Sequence, residues 1–304
     1  MADRSSVRPT YYQRLIIMRA YLPAYDLVAP ASLSEALQLL SAAPGALRPF
    51  AGGTDLMVLL EAGKLPESKY LGLWRLGELR GITETAAVLS LGALTTYTDV
   101  LRHATLQREF PLMYRAAAET GGIATQNHGT LGGNIANASP AADTPPALLV
   151  YDAEIEIASV RGTRRVPYAR FHHGYKKMDL APDELITRIH LPRRPAPALA
   201  YYRKVGTRRA QAISKVCLAV TAGADAGRTL RNVRVAINSV APAVIRCTRA
   251  EAALEGHALD AASRQAAVDA LAADIAPIDD IRSTARYRLR VAQQLLAEAL
   301  ESRV

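Results

Sequence analysis

The chain has 304 residues, half of them apolar, with 37 basic and 28 acidic side chains and a formal net charge of +9. A chain of this length and apolar content buries a large core, most simply in two domains, which excludes an intrinsically disordered protein. No apolar run approaches the roughly 20 residues of a membrane-spanning helix, so we expect a soluble protein without a membrane span.

The cysteine count limits the chemistry of the chain. Only two cysteines are present, Cys217 and Cys247, and neither has a histidine nearby in the sequence. The chain alone therefore cannot build a four-thiolate iron–sulfur cluster or zinc site. Two reduced structural thiols fit a cytoplasmic protein. If the chain handles electrons, its redox centre must be organic.

The positive charge lies in short basic clusters, among them Arg161 to Arg165, Arg193-Arg194 and Arg208-Arg209. A nucleic-acid surface typically interleaves such clusters with aromatic side chains or carries a groove-reading motif, and this sequence has neither. We therefore expect a solvated or partner-docking surface, and no nucleic-acid binding.

Composition divides the chain into three parts. Residues 1–17 are polar and basic, and we expect them to be a tail or an extension ahead of a start at Met18. Residues 18–195 form a first domain, with lobes of about 18–75 and 76–195. The clearest linker is the segment 193–198, Arg-Arg-Pro-Ala-Pro-Ala, and residues 196–304 form a C-terminal domain.

The first domain is predicted to mix short helices and strands. A helix capped by Ser32 or Ser34 ends at Pro44-Gly45, and a helix capped by Thr95 runs to Leu101. The other predicted elements are a strand at Leu47–Phe50, a helix at Leu56–Glu61, strands at Tyr70–Leu73 and Val88–Gly92, a helix at Pro111–Thr120, a long loop from Gly121 to Pro145, a short helix from Ala147, a hairpin from Glu154 through Val166, a loop at 171–186 and a strand at Leu185–Leu191.

The C-terminal domain changes character. Strands are predicted at Ala200–Val205, Lys215–Gly223 and Leu230–Asn238, followed by helices from Thr248, Ala261 and about Thr284. Leu289, Ala292, Leu295, Leu296 and Ala299 form one apolar stripe on the last helix. The whole pattern predicts an α+β fold.

Two glycine pairs are the main candidates for a binding site. Gly52-Gly53 follows a predicted strand and precedes a helix that Thr54 is expected to cap, and Gly132-Gly133 lies in the long loop. A glycine pair lets backbone N–H groups approach an anion closely. The predicted diphosphate donors are the N–H groups of Gly52, Gly53, Thr54, Gly132, Gly133 and Asn134 and the hydroxyls of Thr54 and Thr130.

Asp55 argues against this interpretation, because a carboxylate at the same helix end repels phosphate. It fits better as a helix cap or as an acceptor for a sugar hydroxyl. On spacing alone, the alternative is that the two glycine turns are unrelated in space.

Several familiar sites are excluded. The sequence has no G-x-G-x-x-G, no P-loop and no H-E-x-x-H, and the pair His172-His173 has no carboxylate at metal-site spacing. Ser139 precedes Pro140 without a nucleophile elbow, which argues against a hydrolase. We therefore expect no catalytic side chain and no metal site in this chain.

The two glycine segments, Ala51-Gly52-Gly53-Thr54-Asp55 and Thr130 to Asp143, resemble the two FAD-binding signatures of the medium subunit of molybdenum hydroxylases, the xanthine dehydrogenase and carbon monoxide dehydrogenase family. The similarity covers about residues 18–302. It continues through Gly174-Tyr175-Lys176-Lys177, Leu180 to Ile186 and Tyr202 to Arg209.

The resemblance implies a two-lobed FAD-binding domain of the vanillyl-alcohol-oxidase type, followed by a C-terminal lobe with a three-stranded sheet and helices. It also implies that the loop Gly206 to Lys215 gates access of the electron acceptor, and that Lys204 lies near the flavin ring. The FAD-contacting residues that it implies are Arg48, Ala51, Gly52, Gly53, Thr54, Asp55, Leu56, Thr130, Leu131, Gly132, Gly133, Asn134, Ser139, Asp143, Ile186 and Lys204.

By the same resemblance, the chain is an FAD-dependent oxidoreductase subunit that is complete only with partners. A large subunit holds the molybdopterin cofactor, and a small subunit with two [2Fe-2S] clusters passes electrons to the FAD, which delivers them to NAD, oxygen or a quinone. The expected assembly is a dimer of heterotrimers. The cysteine-rich [4Fe-4S] insertion of the hydroxybenzoyl-CoA reductases is absent from the sequence.

Two other functions remain to be weighed. The glycine segments fit a nucleotide-binding module with a regulatory or assembly role and no redox turnover. The basic clusters fit an interaction protein, for which salt-sensitive DNA binding would be the evidence.

Overall fold

A computed structural model describes residues 24–66, 68–208 and 211–301. The expectation about residues 1–17 lies outside the described residues. The first lobe begins with three short strands in the order β1-β3-β2, all parallel, because helices connect them. Its elements are β1 (Asp26–Val28), α1 (Leu33–Ala42), β2 (Arg48–Phe50), α2 (Leu56–Glu61) and β3 (Lys69–Gly72).

Of the two helix caps predicted in this lobe, one is present and one is not. The Ser32 side chain accepts a hydrogen bond from the Glu35 N–H, as predicted for one of the two candidate serines. On the helix that follows, Ala36, Leu37 and Leu40 are buried. The predicted Thr54 cap of α2 is wrong. Asp55 occupies the N-cap position, and its carboxylate makes no capping hydrogen bond.

The second lobe opens with two strands and a series of short helices. They are β4 (Ile82–Glu84), β5 (Val88–Gly92), α3 (Tyr97–Arg102), α4 (Ala104–Glu109), α5 (Pro111–Glu119), α6 (Ile123–His128), α7 (Leu131–Asn137) and α8 (Pro145–Val150). Thr96, not the predicted Thr95, caps α3 and forms a capping box with Asp99. The prediction of a long loop from Gly121 to Pro145 is also wrong, because the helices α6 and α7 lie within that segment.

The strands that follow complete a five-stranded antiparallel sheet of order β4-β5-β10-β6-β7. The predicted loop at 171–186 contains a small separate hairpin, fixed by its own strand pair. These elements are β6 (Glu154–Ser159), β7 (Gly162–Pro167), β8 (His172–Gly174), β9 (Lys177–Met178) and β10 (Leu185–Pro192).

The C-terminal domain is a four-stranded antiparallel sheet, β11-β12-β13-β14, covered by helices. The resemblance implied three strands, and the fourth, β14, has only two residues. The elements are β11 (Leu199–Val205), β12 (Val216–Ala224), β13 (Leu230–Asn238), β14 (Ile245–Arg246), α9 (Thr248–Leu254), α10 (Ala261–Asp274) and α11 (Ala285–Glu301). The predicted α+β class is confirmed.

Three apolar cores support these layers. One lies between the five-stranded sheet and the helices of the second lobe, one lies under α9, α10 and α11, and a smaller one packs α1 and β3 of the first lobe. On α11 the predicted stripe is buried at Ala292, Leu295, Leu296 and Ala299. Within the described ranges, no helix is long and apolar enough to cross a membrane.

An ion pair fixes the start of the predicted linker. Arg193 Nε lies 2.8 Å from Glu109 Oε2, and Arg193 Nη2 lies 2.7 Å from Glu109 Oε1. The hydrogen bonds from Arg193 and then Arg108 lower the pKa of Glu109 to about 2. The linker is therefore tied to α4 by a bidentate pair.

We predict that Glu109→Gln reduces the acid sensitivity of the fold. Because the folded pKa is depressed, the ionised carboxylate stabilises the protein above pH 4.5, and this contribution disappears as the pH falls toward about 2. Thermal unfolding followed by circular dichroism at several pH values checks this. The variant should lose less stability than the wild type over that window, while Glu61→Gln on exposed α2 should behave like the wild type. Identical acid profiles for Glu109→Gln and the wild type would contradict the prediction.

Candidate functional site

The first glycine segment is a tight turn between β2 and α2. Gly53 has a φ of +73°, in the left-handed region that favours glycine, and an added Cβ would lie 2.8 Å from the Phe50 ring. The backbone N–H groups of residues 52–56 have no acceptor among the described residues, whereas the Met57 N–H donates to the Gly53 carbonyl at 2.9 Å. The turn therefore presents a run of unused donors.

The two glycine segments lie against each other. An added Cβ at Gly52 would lie 1.6 Å from the carbonyl oxygen of His128 and 3.4 Å from the nitrogen of Gly129. A side chain at residue 52 would push the lobes apart. The alternative that the two glycine turns are unrelated in space is therefore wrong.

The second glycine segment is the first turn of α7, where most N–H groups are already used. The Gly132 N–H donates to the Ala93 carbonyl at 2.8 Å, and the Asn134 N–H donates to the Thr130 carbonyl at 2.9 Å. The prediction that these two N–H groups donate to a diphosphate is wrong, because the carbonyl groups of Ala93 and Thr130 already accept their hydrogen bonds. Gly132 is a packing glycine, since an added Cβ would lie 2.8 Å from the Ala93 oxygen.

Gly133 differs from Gly132. It is exposed, and its N–H donates to the Thr130 hydroxyl at 3.1 Å, a partner that is able to turn away. An added Cβ would meet only that hydroxyl, at 2.8 Å. Gly133 is therefore the position of this pair at which an anion reaches backbone without displacing the fold.

The end of α7 leads into an ordered turn. Ala138 adopts a left-handed φ of 48°, and the Ala141 N–H donates to the Ser139 hydroxyl at 3.3 Å. The Thr144 hydroxyl donates to Asn134 Oδ1 at 2.6 Å. The Asn134 side chain is thereby held at the first turn of α7, with its amide N–H₂ directed away from Thr144.

A buried ion pair joins this turn to the C-terminal domain. Lys204 Nζ lies 2.7 Å from Asp143 Oδ2 and donates to the Glu119 carbonyl at 3.0 Å, and the Ser214 hydroxyl donates to Asp143 Oδ1 at 2.7 Å. The Lys204 side chain is only 3% exposed. Burial raises the pKa of Asp143, while the Lys204 ammonium and the Ser214 hydroxyl lower it.

The remaining predicted residues lie around these elements. Arg48 begins β2, and Ala51 joins it to the glycine turn. Ile186 lies in β10, opposite Ile157 of β6, and is buried in the main core. Leu56 and Leu131 begin α2 and α7.

The predicted cap role of Asp55 is wrong, as its side chain makes no capping bond. The other assignment, an acceptor for a sugar hydroxyl, stays a prediction. No group of side chains among the described residues is arranged to hold a metal ion.

Two residues of this region had no assigned role in the sequence. Ser214 contacts the Asp143 carboxylate, and Lys176 contacts Asn137 at the end of α7. Lys176 belongs to a segment that resembles the family, but the sequence gives no partner for it. The contacts of both residues depend on tertiary folding, which periodicity does not report.

Two family models match the chain. The model of the FAD binding domain in molybdopterin dehydrogenase matches residues 23–194, and that of the CO dehydrogenase flavoprotein C-terminal domain matches residues 200–302. Together they span nearly all of the described residues.

Individual proteins similar to this chain are subunits of the same kinds of dehydrogenase. The chain is 32% identical to the xanthine dehydrogenase FAD-binding subunit of Escherichia coli O157:H7, over 90% of this chain and 94% of that one. It is 28% identical to the carbon monoxide dehydrogenase medium chain of Hydrogenophaga pseudoflava, over 92% and 97%. A solved carbon monoxide dehydrogenase from the same organism, which lacks the Mo-pyranopterin moiety of its molybdenum cofactor, superimposes with a TM-score of 0.89 at 30% identity, over 93% of this chain and 98% of the other.

We predict that Gly133→Val lowers FAD affinity about tenfold or more without unfolding the chain. The new side chain meets only the Thr130 hydroxyl, yet it covers the exposed face of the first turn of α7. Flavin retained after gel filtration and far-ultraviolet circular dichroism measure the two effects. Gly77→Val is the matched control, because no atom lies within 4 Å of its added Cβ. Wild-type flavin content in Gly133→Val would show that this face is not the binding site.

We predict that Lys204→Met destabilises the fold by about 3–5 kcal/mol, because it leaves the Asp143 carboxylate buried without its cation. Adding Asp143→Asn should restore part of the loss, since no unpaired charge then remains. Denaturant unfolding measures both variants. Arg203→Met, on the same strand with an exposed partner in Glu298, should cost less than about 1 kcal/mol. Equal losses at residues 203 and 204 would contradict the prediction.

Proposed function

The chain belongs to the FAD-binding medium subunits of the molybdenum hydroxylase family, and we propose that it takes electrons from a partner subunit and passes them to an external acceptor. Its homologues are oxidoreductase subunits, and the chain carries the FAD-binding domain of that family. Bound FAD supplies the ability to exchange electrons singly with iron–sulfur clusters and in pairs with an acceptor. The side chains and backbone of this chain bind and orient it.

The observation that carries this proposal is the run of unused N–H groups at residues 52–56, packed against the second glycine segment. Backbone donors that have no protein acceptor suit an anionic ligand, and a diphosphate accepts several at once. The arrangement needs no metal ion. It therefore fits the diphosphate of FAD.

We assign the cofactor contacts to the residues named from the sequence, with two changes of role. Gly132 and the Asn134 N–H support the fold, while Gly133, the Thr130 hydroxyl and the Asn134 side-chain amide face the ligand. The contacts proposed for the flavin half are Ser139, Asp143, Ile186 and Lys204. Asp55 is proposed to accept a hydrogen bond from a ribose hydroxyl.

Lys204 is proposed to act through its charge. An ammonium group has three N–H donors, and Asp143 and the Glu119 carbonyl take two of them. The third is proposed to face the flavin, where a fixed positive charge favours the reduced, anionic form. The Asp143 carboxylate holds that charge in place.

We propose a small subunit with two [2Fe-2S] clusters as electron donor and a large molybdopterin subunit as the site of substrate oxidation, arranged as a dimer of heterotrimers. Relatives named medium chains support such a complex. NAD, oxygen or a quinone is the proposed acceptor, reached past the loop Gly206 to Lys215. The two cysteines are free and buried, which fits a cytoplasmic location.

A nucleotide-binding module without redox turnover is the alternative, because the same unused donors would hold any nucleoside diphosphate. The two functions differ in whether the bound flavin changes redox state.

We predict that the chain, purified with any subunits that accompany it, is yellow and contains about one FAD per chain. Dithionite should bleach the flavin absorption band, and the proposed acceptor should restore it. Absorption spectroscopy and chromatography of the released flavin measure this. A colourless protein that retains no FAD after reconstitution would contradict the proposed function, and bound FAD that no partner or acceptor reduces or oxidises would favour the alternative.

A further inference from the structure

The hairpin of β8 and β9 is fixed to the C-terminal end of α7. His172 Nε2 lies 2.9 Å from the Ile135 carbonyl oxygen. Lys176 Nζ donates to Asn137 Oδ1 at 2.7 Å and also to the Asn137 carbonyl. The hairpin therefore lies on the helix whose first turn contains Gly133.

Lys176 occupies the turn between the two strands in an uncommon backbone conformation. Its φ is 55°, in the left-handed region that residues with side chains adopt rarely. Such conformations persist where surrounding contacts hold them, and they cluster at ligand clamps. The two hydrogen bonds to Asn137 are contacts of that kind, and they keep the ammonium group at the end of α7.

The same ammonium group is near enough to two charged residues of the first lobe for their charges to act on it. Partial burial of the ammonium group lowers the pKa of Lys176, the Asp55 carboxylate raises it, and the Arg48 guanidinium lowers it. Arg48 and Asp55 lie on either side of the glycine turn, at the start of β2 and before α2. A cation from the second lobe therefore interacts electrostatically with residues on both sides of the turn that has the unused N–H groups.

The balance of charges around the glycine turn favours a role for Lys176 in binding an anion. A diphosphate brings two negative charges, Asp55 adds a third beside the same turn, and Arg48 supplies one positive charge there. Lys204 is not available to offset them, because it is buried against Asp143. Lys176 is exposed, and its acceptors are an amide and a carbonyl, which are weaker partners for an ammonium than a phosphate.

We propose that Lys176 is a ligand of the cofactor diphosphate, which it reaches by exchanging the Asn137 carbonyl for a phosphate oxygen. This inference rests on the proposed function, since it takes FAD as the occupant of the glycine segments. The side chain of Lys176 then adds a third segment of the chain to the two that hold the diphosphate, while His172 keeps the hairpin on α7.

The test uses the full chain with its accompanying subunits after removal of FAD. Equilibrium dialysis measures the dissociation constant of FAD at several salt concentrations for the wild type, Lys176→Met, Lys176→Arg and the neighbouring control Lys177→Met. Lys176→Met should weaken FAD binding about 10- to 100-fold and reduce its salt dependence, because a charged hydrogen bond to phosphate is lost. Lys176→Arg should retain affinity within about tenfold, and Lys177→Met should bind like the wild type.

Two outcomes would overturn the inference. One is a Lys176→Met variant that binds FAD as tightly as Lys177→Met. The other is weakened binding with unchanged salt dependence and a lower unfolding temperature of the FAD-free protein, which assigns Lys176 only to the end of α7. Failure of the wild type to bind FAD is a different result, because it would remove the proposed function itself and this inference with it.

Discussion

The buried pair of Lys204 and Asp143 is the interaction on which the orientation of the site depends. Two charges leave water at considerable cost, and they are stable in the interior only with each other and with further hydrogen bonds. Here the Ser214 hydroxyl donates a hydrogen bond to the Asp143 carboxylate, and the Tyr202 hydroxyl donates to the Asp143 backbone carbonyl at 3.1 Å. The Asn238 amide holds the preceding carbonyl of Ala142 at 2.8 Å. The turn after α7 is thus fixed by the C-terminal domain.

The first lobe meets the second lobe at the other end of α7, through a close backbone contact just before that helix. The Gly52 position lies so near the His128 carbonyl that any side chain would collide with it. The candidate site therefore has two different supports. The ion pair joins the second lobe to the C-terminal domain, and the missing Cβ of Gly52 lets the first lobe approach the second.

Turn residues and apolar periodicity in the sequence predicted many helices and strands of this fold. They failed where contacts between distant residues determine the local structure. The bounds of α2 and β5 follow from a glycine turn and an alternating apolar pattern, and both match the sequence prediction. The helices α6 and α7 were missed because glycine, asparagine and threonine have low helix propensity. The Thr130 cap and the contact with Ala93 stabilise α7 instead.

The Thr96 cap of α3 could have been predicted from the sequence, since Asp99 stands three residues later, as a capping box requires.

The glycine segments show the same limit within the site. Sequence alone treats Gly132 and Gly133 alike, because both permit close approach of backbone. The structure separates them by direction, since Gly132 faces Ala93 inside the fold and Gly133 faces outward. A glycine pair in the sequence therefore predicts where backbone segments approach closely, but it does not say which N–H groups remain without an acceptor.

The groups around the ion pair are held in their neutral forms. Cys217 lies opposite Lys204 in the register of β11 and β12, where burial raises its pKa and keeps the thiol protonated. Burial likewise raises the pKa values of Tyr97 and Tyr202. Neutral thiol and phenol groups surround one fixed charge pair, and a protonated thiol is a poor nucleophile and redox partner. The interior at this position therefore holds one fixed charge pair and no reactive thiolate.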